Sequence, residues 1–333
     1  MKQDFKKISN QVVAWYLESG RHHLPWRHKV TPYRIWISEI MLQQTQVQTV
    51  IPYFNAFIKK YPTLAKLSSA SEDEILAMWS GLGFYRRARN IFAAKEIIKI
   101  DYQNKFPKKL EQIIGLPGIG KSTSGALMSL AFFEPQPILD GNVKRVISRL
   151  IKKDIAALKE KELWELSKKL VNHEDCFSYT QGIMDLGATV CTQANPLCQT
   201  CPLNKDCKSA FKVKPQVKNK TAKAKITIAL DLSLVLTNHS FLLAKNEEGS
   251  IWDHLWMPFD NAIIAVHTSK LQLLKQERIR HELTHRSLNL LINIYVSPKE
   301  FKIKTNQKYE WIKKDRIKAY GTPQPITKLM SQL

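Results

Sequence analysis

Between residue 5 and about 210 the apolar positions recur mostly at helical spacing. Trp36, Ile40, Val47, Val50, Ile51, Phe54 and Ile58 follow an i, i+3, i+4, i+7 pattern. The same periodicity predicts helices over 72–79, 85–100, 108–114, 122–133, 142–151, 160–171 and 178–188. The opening stretch MKQDFKKISNQVVAWYLESG carries charges inside its apolar pattern and has no continuous apolar core, so it reads as an amphipathic helix rather than a secretion signal. The first two thirds of the chain are therefore expected to be almost entirely α-helical.

The pattern changes after residue 208. Seven lysines and no acid lie between Lys208 and Leu230, with Pro215 among them, and a basic linker is expected over 208–225. Beyond it, ITIALDLSLVLT (226–237), SFLLAK (240–245) and SLNLLINIYV (287–296) are rich in Leu and β-branched residues separated by turn residues. They predict a smaller, strand-containing domain over 226–333. A length of 333 residues is enough for two such domains.

Lysine and arginine outnumber aspartate and glutamate by 51 to 29, a formal charge of +22. A surplus of that size sets a long-range positive field, and nucleic acid is the first partner it suggests. The longest apolar stretch, Ala126 to Phe133, is far too short to span a bilayer. No membrane association is expected, and the cytoplasm is the expected compartment.

Four of the five cysteines, Cys191, Cys198, Cys201 and Cys207, stand in a C-x6-C-x2-C-x5-C array. In a reducing compartment adjacent disulfides are disfavoured, and four thiolates on one short loop point to a metal centre. Spacing alone leaves zinc and an iron–sulfur cluster both open. Cys176 stands apart and reads as a small buried apolar residue.

Residues 115–125, GLPGIGKSTSG, join two expected helices. Gly115, Gly118 and Gly120 permit positive φ and close approach, so the turn can aim backbone N–H groups and a helix N-terminus at a phosphate, with Lys121 beside them. Gly115 to Gly120 has the spacing of a nucleotide P-loop, yet a helix rather than a strand is expected before it, which argues against that reading. Two acids stand out. Glu39 is the only carboxylate between Glu18 and Glu72, and its apolar helical surroundings favour a raised pKa, as a general acid requires. Asp140, in PILDGNVKRV, precedes a helix and by position alone is an N-cap.

With these pieces in place the chain resembles the adenine DNA glycosylase (MutY) family of the helix-hairpin-helix superfamily. The resemblance rests on LPWR (24–27), SEIMLQQTQV (38–47), GLGFYRRARN (81–90), LPGIGKSTSGA (116–126), ILDGNVKR (138–145), MDLGA (184–188) and the four cysteines. It implies a mainly α catalytic region over 1–207, comprising a six-helix barrel of about 28–134 and a cluster module built from the N-terminal helix and about 135–207. It further implies a [4Fe–4S] cluster on the four cysteines and a MutT-like α+β domain over 226–333. That domain lacks the glutamate run of a Nudix box, so nucleotide hydrolysis is not expected of it.

The implied activity is monofunctional excision of adenine mispaired with 8-oxoguanine, or with guanine, from a base flipped out of double-stranded DNA. By resemblance Glu39 is the acid that protonates adenine at N7, Asp140 the carboxylate that stabilises the oxocarbenium ion, and Asn142 the residue that positions water and Asp140. Gln181 falls where the family contacts the adenine edge, and Leu24, Trp26 and Arg27 match the walls of the base pocket. Gln43, Gln44, Phe84 and Tyr85 match segments that push into the duplex, with Phe84 standing where the family more often has Tyr. Thr284 and His285 align with a loop that reads Phe-Ser-His in the family and here reads Leu-Thr-His. A bifunctional glycosylase–lyase would need lysine at position 122, which here is Ser122, one residue after Lys121. One flipped base needs one active site, and a monomer is expected.

Overall fold

The computed structural model describes residues 4–213 and 225–333; most of the expected lysine-rich linker lies outside them. The described residues up to Ser69, together with those from Ala93 to the break, form one compact unit. Ala70–Phe92 group with the residues after the break in the other.

The first unit is helical. α1 (Phe5–Ser19) begins where Asp4 accepts a hydrogen bond from the Lys7 N–H at 3.0 Å, and it buries Ile8, Val12 and Tyr16 at four-residue spacing. Gly20 ends it so tightly that a β-carbon there would meet the Tyr16 ring at 2.4 Å. A 3-10 turn (Pro25–Arg27) leads to α2 (Pro32–Leu42), which Thr31 caps. The apolar run expected as one helical pattern is broken after α2. Gln44 takes a left-handed φ of 57°, and α3 (Val47–Lys60) restarts beyond it. α4 (Leu64–Ser68) follows. α5 (Glu72–Met78), with a capping box between Ser71 and Glu74, falls in the second unit. α6 (Arg86–Asp101), α7 (Leu110–Ile114), α8 (Lys121–Ala131), α9 (Gly141–Ile151) and α10 (Glu160–Leu170) lie within one to two residues of their expected bounds. α11 (Cys176–Asp185) runs straight into a π-helical turn (Leu186–Val190) that carries the chain to the first cysteine of the array. Cys176 is buried, as expected.

The second unit is built on a mixed sheet. β1 (Ile226–Leu236) pairs antiparallel with β2 (Ser240–Lys245) and parallel, along its whole length, with β6 (Arg286–Val296). The short β3 (Trp256–Met257) and β7 (Tyr309–Lys313) extend from β2, and β4 (Phe259–Asp260) pairs with β1. β5 (Gln272–Glu282) closes the far edge on β6. α12 (Asn261–Ala265) and α13 (Gln324–Met330) complete the unit. Alternating residues of β1 serve two cores: Leu232, Leu234 and Leu236 join Trp256, Ile292 and Ile326, while Val235 joins Leu242 and Phe259. In the same unit Asp73 on α5 accepts from the Trp256 indole at 3.0 Å and the Lys245 ammonium at 3.1 Å. β5 was not expected as a strand. Its sequence, QLLKQERIRHE, alternates between exposed and half-buried positions, because an edge strand over a partly wet face needs few apolar residues.

Candidate active site

A cleft of about 620 Å³ in the helical unit is lined by Glu39, Gln43, Gln44, Ser122, Asp140, Asn142, Arg145 and Arg21 among others. Segments distant in the chain meet there, and the junction of α8 with the stretch before α9 has an identifiable cause. α8 approaches the extended segment 137–139 so closely that a β-carbon on Gly125 would lie 2.3 Å from the Pro137 carbonyl oxygen. Only glycine permits that approach. The segment is then pinned from two sides: Leu139 N–H donates to Ser122 Oγ at 2.9 Å, and Ser167 Oγ donates to the Ile138 carbonyl at 2.7 Å. Asp140 follows directly and caps α9, accepting from the Val143 N–H at 2.7 Å. Its N-cap role and its place in the cleft are compatible, because a capping carboxylate keeps a second oxygen free.

Glu39 enters from α2, on which Ile35, Trp36, Ile37, Ser38, Ile40 and Met41 are buried around it. Among the described residues its carboxyl accepts no hydrogen bond. Burial, and then the neighbouring charge of Asp140, raise its pKa from 4.5 to about 7, against an opposing pull from Arg27. Asp140 is also pushed upward by burial, and hydrogen bonds from the Val143 and Asn142 backbone pull part of that back.

Asn142, the second residue of α9, lines the cleft. Its Oδ1 accepts from Arg145 Nη2 at 2.7 Å, and the same arginine donates from Nε to the Cys191 carbonyl at 2.7 Å. Gly187, in the π-helical turn, packs so near that a β-carbon would lie 2.6 Å from Asn142 Cβ. Arg145 was missed at the level of sequence, where it is one basic residue on a helix among many. Asp185 was missed too. It is fully buried, receiving both Arg27 guanidinium nitrogens at 2.6 and 2.7 Å and Arg21 Nε at 2.8 Å. A buried acid inside MDLGA was the available clue, since carboxylates are almost never fully buried unless paired.

The remaining expected site residues fall into three groups. Leu24 and Trp26 stand in the core at 1% and 4% exposure rather than on the cleft surface, with Trp26 edge-on to Phe54. Arg27 is committed to Asp185, and Gln181 is buried on α11. At the hairpin, Gly118 has a φ of 80°, and Gly120 caps α8 with no side-chain partner for its first N–H groups. Gln43 Nε2 donates to the Gly118 carbonyl at 3.3 Å. Lys121 does not line the cleft. Its ammonium sits 4.1 Å from the centre of the Trp164 ring.

Phe84 and Tyr85 belong to the second unit. Phe84 is exposed, follows Gly83 (φ 77°) and itself takes a φ of 51°. Thr284 and His285 are exposed in the turn joining β5 to β6, which is closed by Leu283 N–H donating to the Arg286 carbonyl at 2.8 Å.

Cys191, Cys198, Cys201 and Cys207 line one cavity, and none is in a disulfide. They surround a void rather than converging on a point: among the described residues no His, Cys, Asp and Glu set is gathered as a single metal ion requires. Burial, with the other thiols adding to it, pushes Cys201 up to about 11, and burial raises Cys207 as well. Arg149 Nη1 donates to Cys191 Sγ at 3.4 Å, which puts a guanidinium beside that sulfur. No helix among the described residues is long and apolar enough to cross a membrane.

Residues 37–173 match the HhH-GPD superfamily of base excision DNA repair proteins. The chain is 38% identical to the adenine DNA glycosylase of Buchnera aphidicola subsp. Schizaphis graminum over 97% of both chains. It is 37% identical to the adenine DNA glycosylase of Homo sapiens over 62% of this chain and 40% of that one. Among solved structures, a thermostable thymine-DNA glycosylase is 30% identical, with a TM-score of 0.58 over 63% of this chain and 97% of its own. An endonuclease III–DNA complex, 21% identical, shares the fold of the helical region with a TM-score of 0.54. With a relative of 38% identity matched along nearly its whole length, the chain belongs to the adenine DNA glycosylase family, enzymes of base excision repair.

Proposed function

We propose that the protein excises adenine paired with 8-oxoguanine, or with guanine, in double-stranded DNA by acid-assisted cleavage of the glycosidic bond on a flipped base. One observation carries this reading: Glu39, raised to about 7, shares a cleft with Asp140. Adenine leaves poorly as an anion, so a carboxylic acid still protonated near neutrality is the donor its N7 needs. As the base departs, the sugar gains positive charge, and the Asp140 carboxylate lies in the same cleft to stabilise it. Asn142, held by Arg145, orients water and Asp140. Leu24, Trp26, Arg27 and Gln181 frame the base pocket from beneath its surface. The test is Glu39→Gln, which keeps the shape and cannot deliver the proton. It is expected to bind the mismatch and lose excision by about 100-fold or more; near wild-type excision would remove Glu39 from the role.

A lyase reading is disfavoured. No lysine lines the cleft among the described residues, and Ser122 Oγ is occupied by the Leu139 N–H. Gly118, Gly120 and the uncapped start of α8, with Lys121 beside them, clamp a DNA phosphate. Gln43, Gln44, Phe84 and Tyr85 enter the duplex, and Thr284 and His285, exposed on their turn, sense the O8 and N7 proton that distinguish 8-oxoguanine.

The cysteine loop fits a [4Fe–4S] cluster held by Cys191, Cys198, Cys201 and Cys207. A lone zinc draws four sulfurs to about 2.3 Å from one point, whereas a cluster sets its metals between more widely spaced thiolates, as the void here allows. When bound, the cluster ties four points of the loop together and gives it a fixed shape.

A further inference from the structure

Asp185 lies at the end of α11 with no exposed surface, and two arginines meet it there. Arg27 meets it with both terminal nitrogens, at 2.6 and 2.7 Å. Arg21 meets it with Nε at 2.8 Å and with its backbone N–H at 2.9 Å. The Tyr16 ring lies under the Arg27 guanidinium at 5.4 Å from its centre, so that side chain is held on two sides. Burial works against the Asp185 charge, and the two arginines outweigh it, holding its pKa below the ordinary value.

This arrangement matters because of what it faces. The charged groups around Glu39 are Asp140 and Arg145 from the start of α9, Arg21 after α1, and Arg27 from the 3-10 turn. Arg27 is the one among them that pulls the Glu39 carboxyl toward ionisation. Two guanidinium groups with one carboxylate between them carry a net charge of +1; without that carboxylate they would carry +2. A second uncompensated cation in a low-dielectric site would deprotonate the acid that the reaction needs protonated.

We infer that Asp185 is a positioning residue for the glycosidase reaction: by clamping and neutralising Arg27 and Arg21 it keeps Glu39 in its proton-carrying form. The inference rests on the reading of Glu39 as the proton donor. Asp185 touches neither base nor sugar and acts only through the arginines.

The experiment is the pH dependence of single-turnover adenine excision from an A·8-oxoguanine duplex by the full-length protein. Asp185→Asn keeps the shape and removes the charge, and its alkaline limb should move to lower pH by about one unit relative to the unsubstituted protein. Arg21→Gln removes a cation instead, leaving Asp185 to offset Arg27 alone, and should move the limb the opposite way. If Asp185→Asn is too unstable to purify, Arg21→Gln decides the matter by its sign. A uniform loss of rate with both limbs unmoved would mean a purely structural role and would overturn the inference. Glu39→Gln separates the two readings. If it still excises, the proton-donor assignment fails; if it is inactive while neither limb moves, only the role given to Asp185 fails.

Discussion

Glu39 and Asp140, a hundred residues apart in the chain, share one cleft, and the charge of Asp140 is the second cause, after burial, that lifts the Glu39 carboxyl to about 7. In the proposed reaction the pair couples a group that gives a proton to one that stabilises positive charge. Each carboxyl sits in surroundings that separate the two tasks: Glu39 receives no hydrogen bond among the described residues, while Asp140 receives backbone N–H groups at the head of α9.

That coupling sets a pH profile. The folded-state pKa of Glu39 is raised, so its protonated form is present below about 7 and lost as pH rises through that value. Single-turnover excision should fall on the alkaline side with a midpoint near 7. A rate that stays level well above neutrality would show that another group supplies the proton.

Gly187→Ala should damage the site without touching a charged group. Its β-carbon would lie 2.6 Å from Asn142 Cβ and 3.0 Å from the Asn142 carbonyl oxygen, so the π-helical turn or the start of α9 must shift. Overpacking of this kind costs about 1–3 kcal/mol. Urea unfolding should report that loss, and excision should fall further than mismatch binding. Unchanged stability and rate would show that the two segments relax freely.

Metal analysis tests the cysteine loop. Protein purified without oxygen should carry about four irons and four sulfides per chain and absorb in the visible. Cys198→Ser should lower that content, since it withdraws one of the four cavity-lining thiols. Stoichiometric zinc in place of iron would overturn the cluster assignment.

Thr284→Ala with His285→Ala should leave excision from A·G pairs near its starting rate and reduce the preference for A·8-oxoguanine about 5- to 150-fold, the worth of a contact of about 1–3 kcal/mol. Both side chains are exposed in a closed turn, so folding should be unaffected. Deleting residues 226–333 would be a poorer test. α5 lies in the same compact unit, and its Asp73 would lose the Trp256 and Lys245 partners. An intact preference in the double variant would assign damage recognition elsewhere.

The sequence by itself determined what depends on near neighbours. Helical periodicity located most of the helices to within a residue or two, because amphipathic spacing and capping act over one or two turns. The isolation of Glu39 among apolar residues announced its burial, and the cysteine spacing announced a loop able to wrap one centre. Where long-range contact decides, the sequence was silent or ambiguous. Asp140 reads as a helix cap, and it is one. Only the approach of the 137–139 segment to α8, permitted by Gly125, brings that cap beside Glu39. Asp185, Arg21 and Arg145 look like ordinary charged residues until folding buries or pairs them, since a charge acquires its meaning from partners far away in the chain. The break at Gln44 and the edge strand β5 went unread for a related reason. A left-handed residue and a half-wet strand are stabilised by tertiary surroundings that no local pattern records.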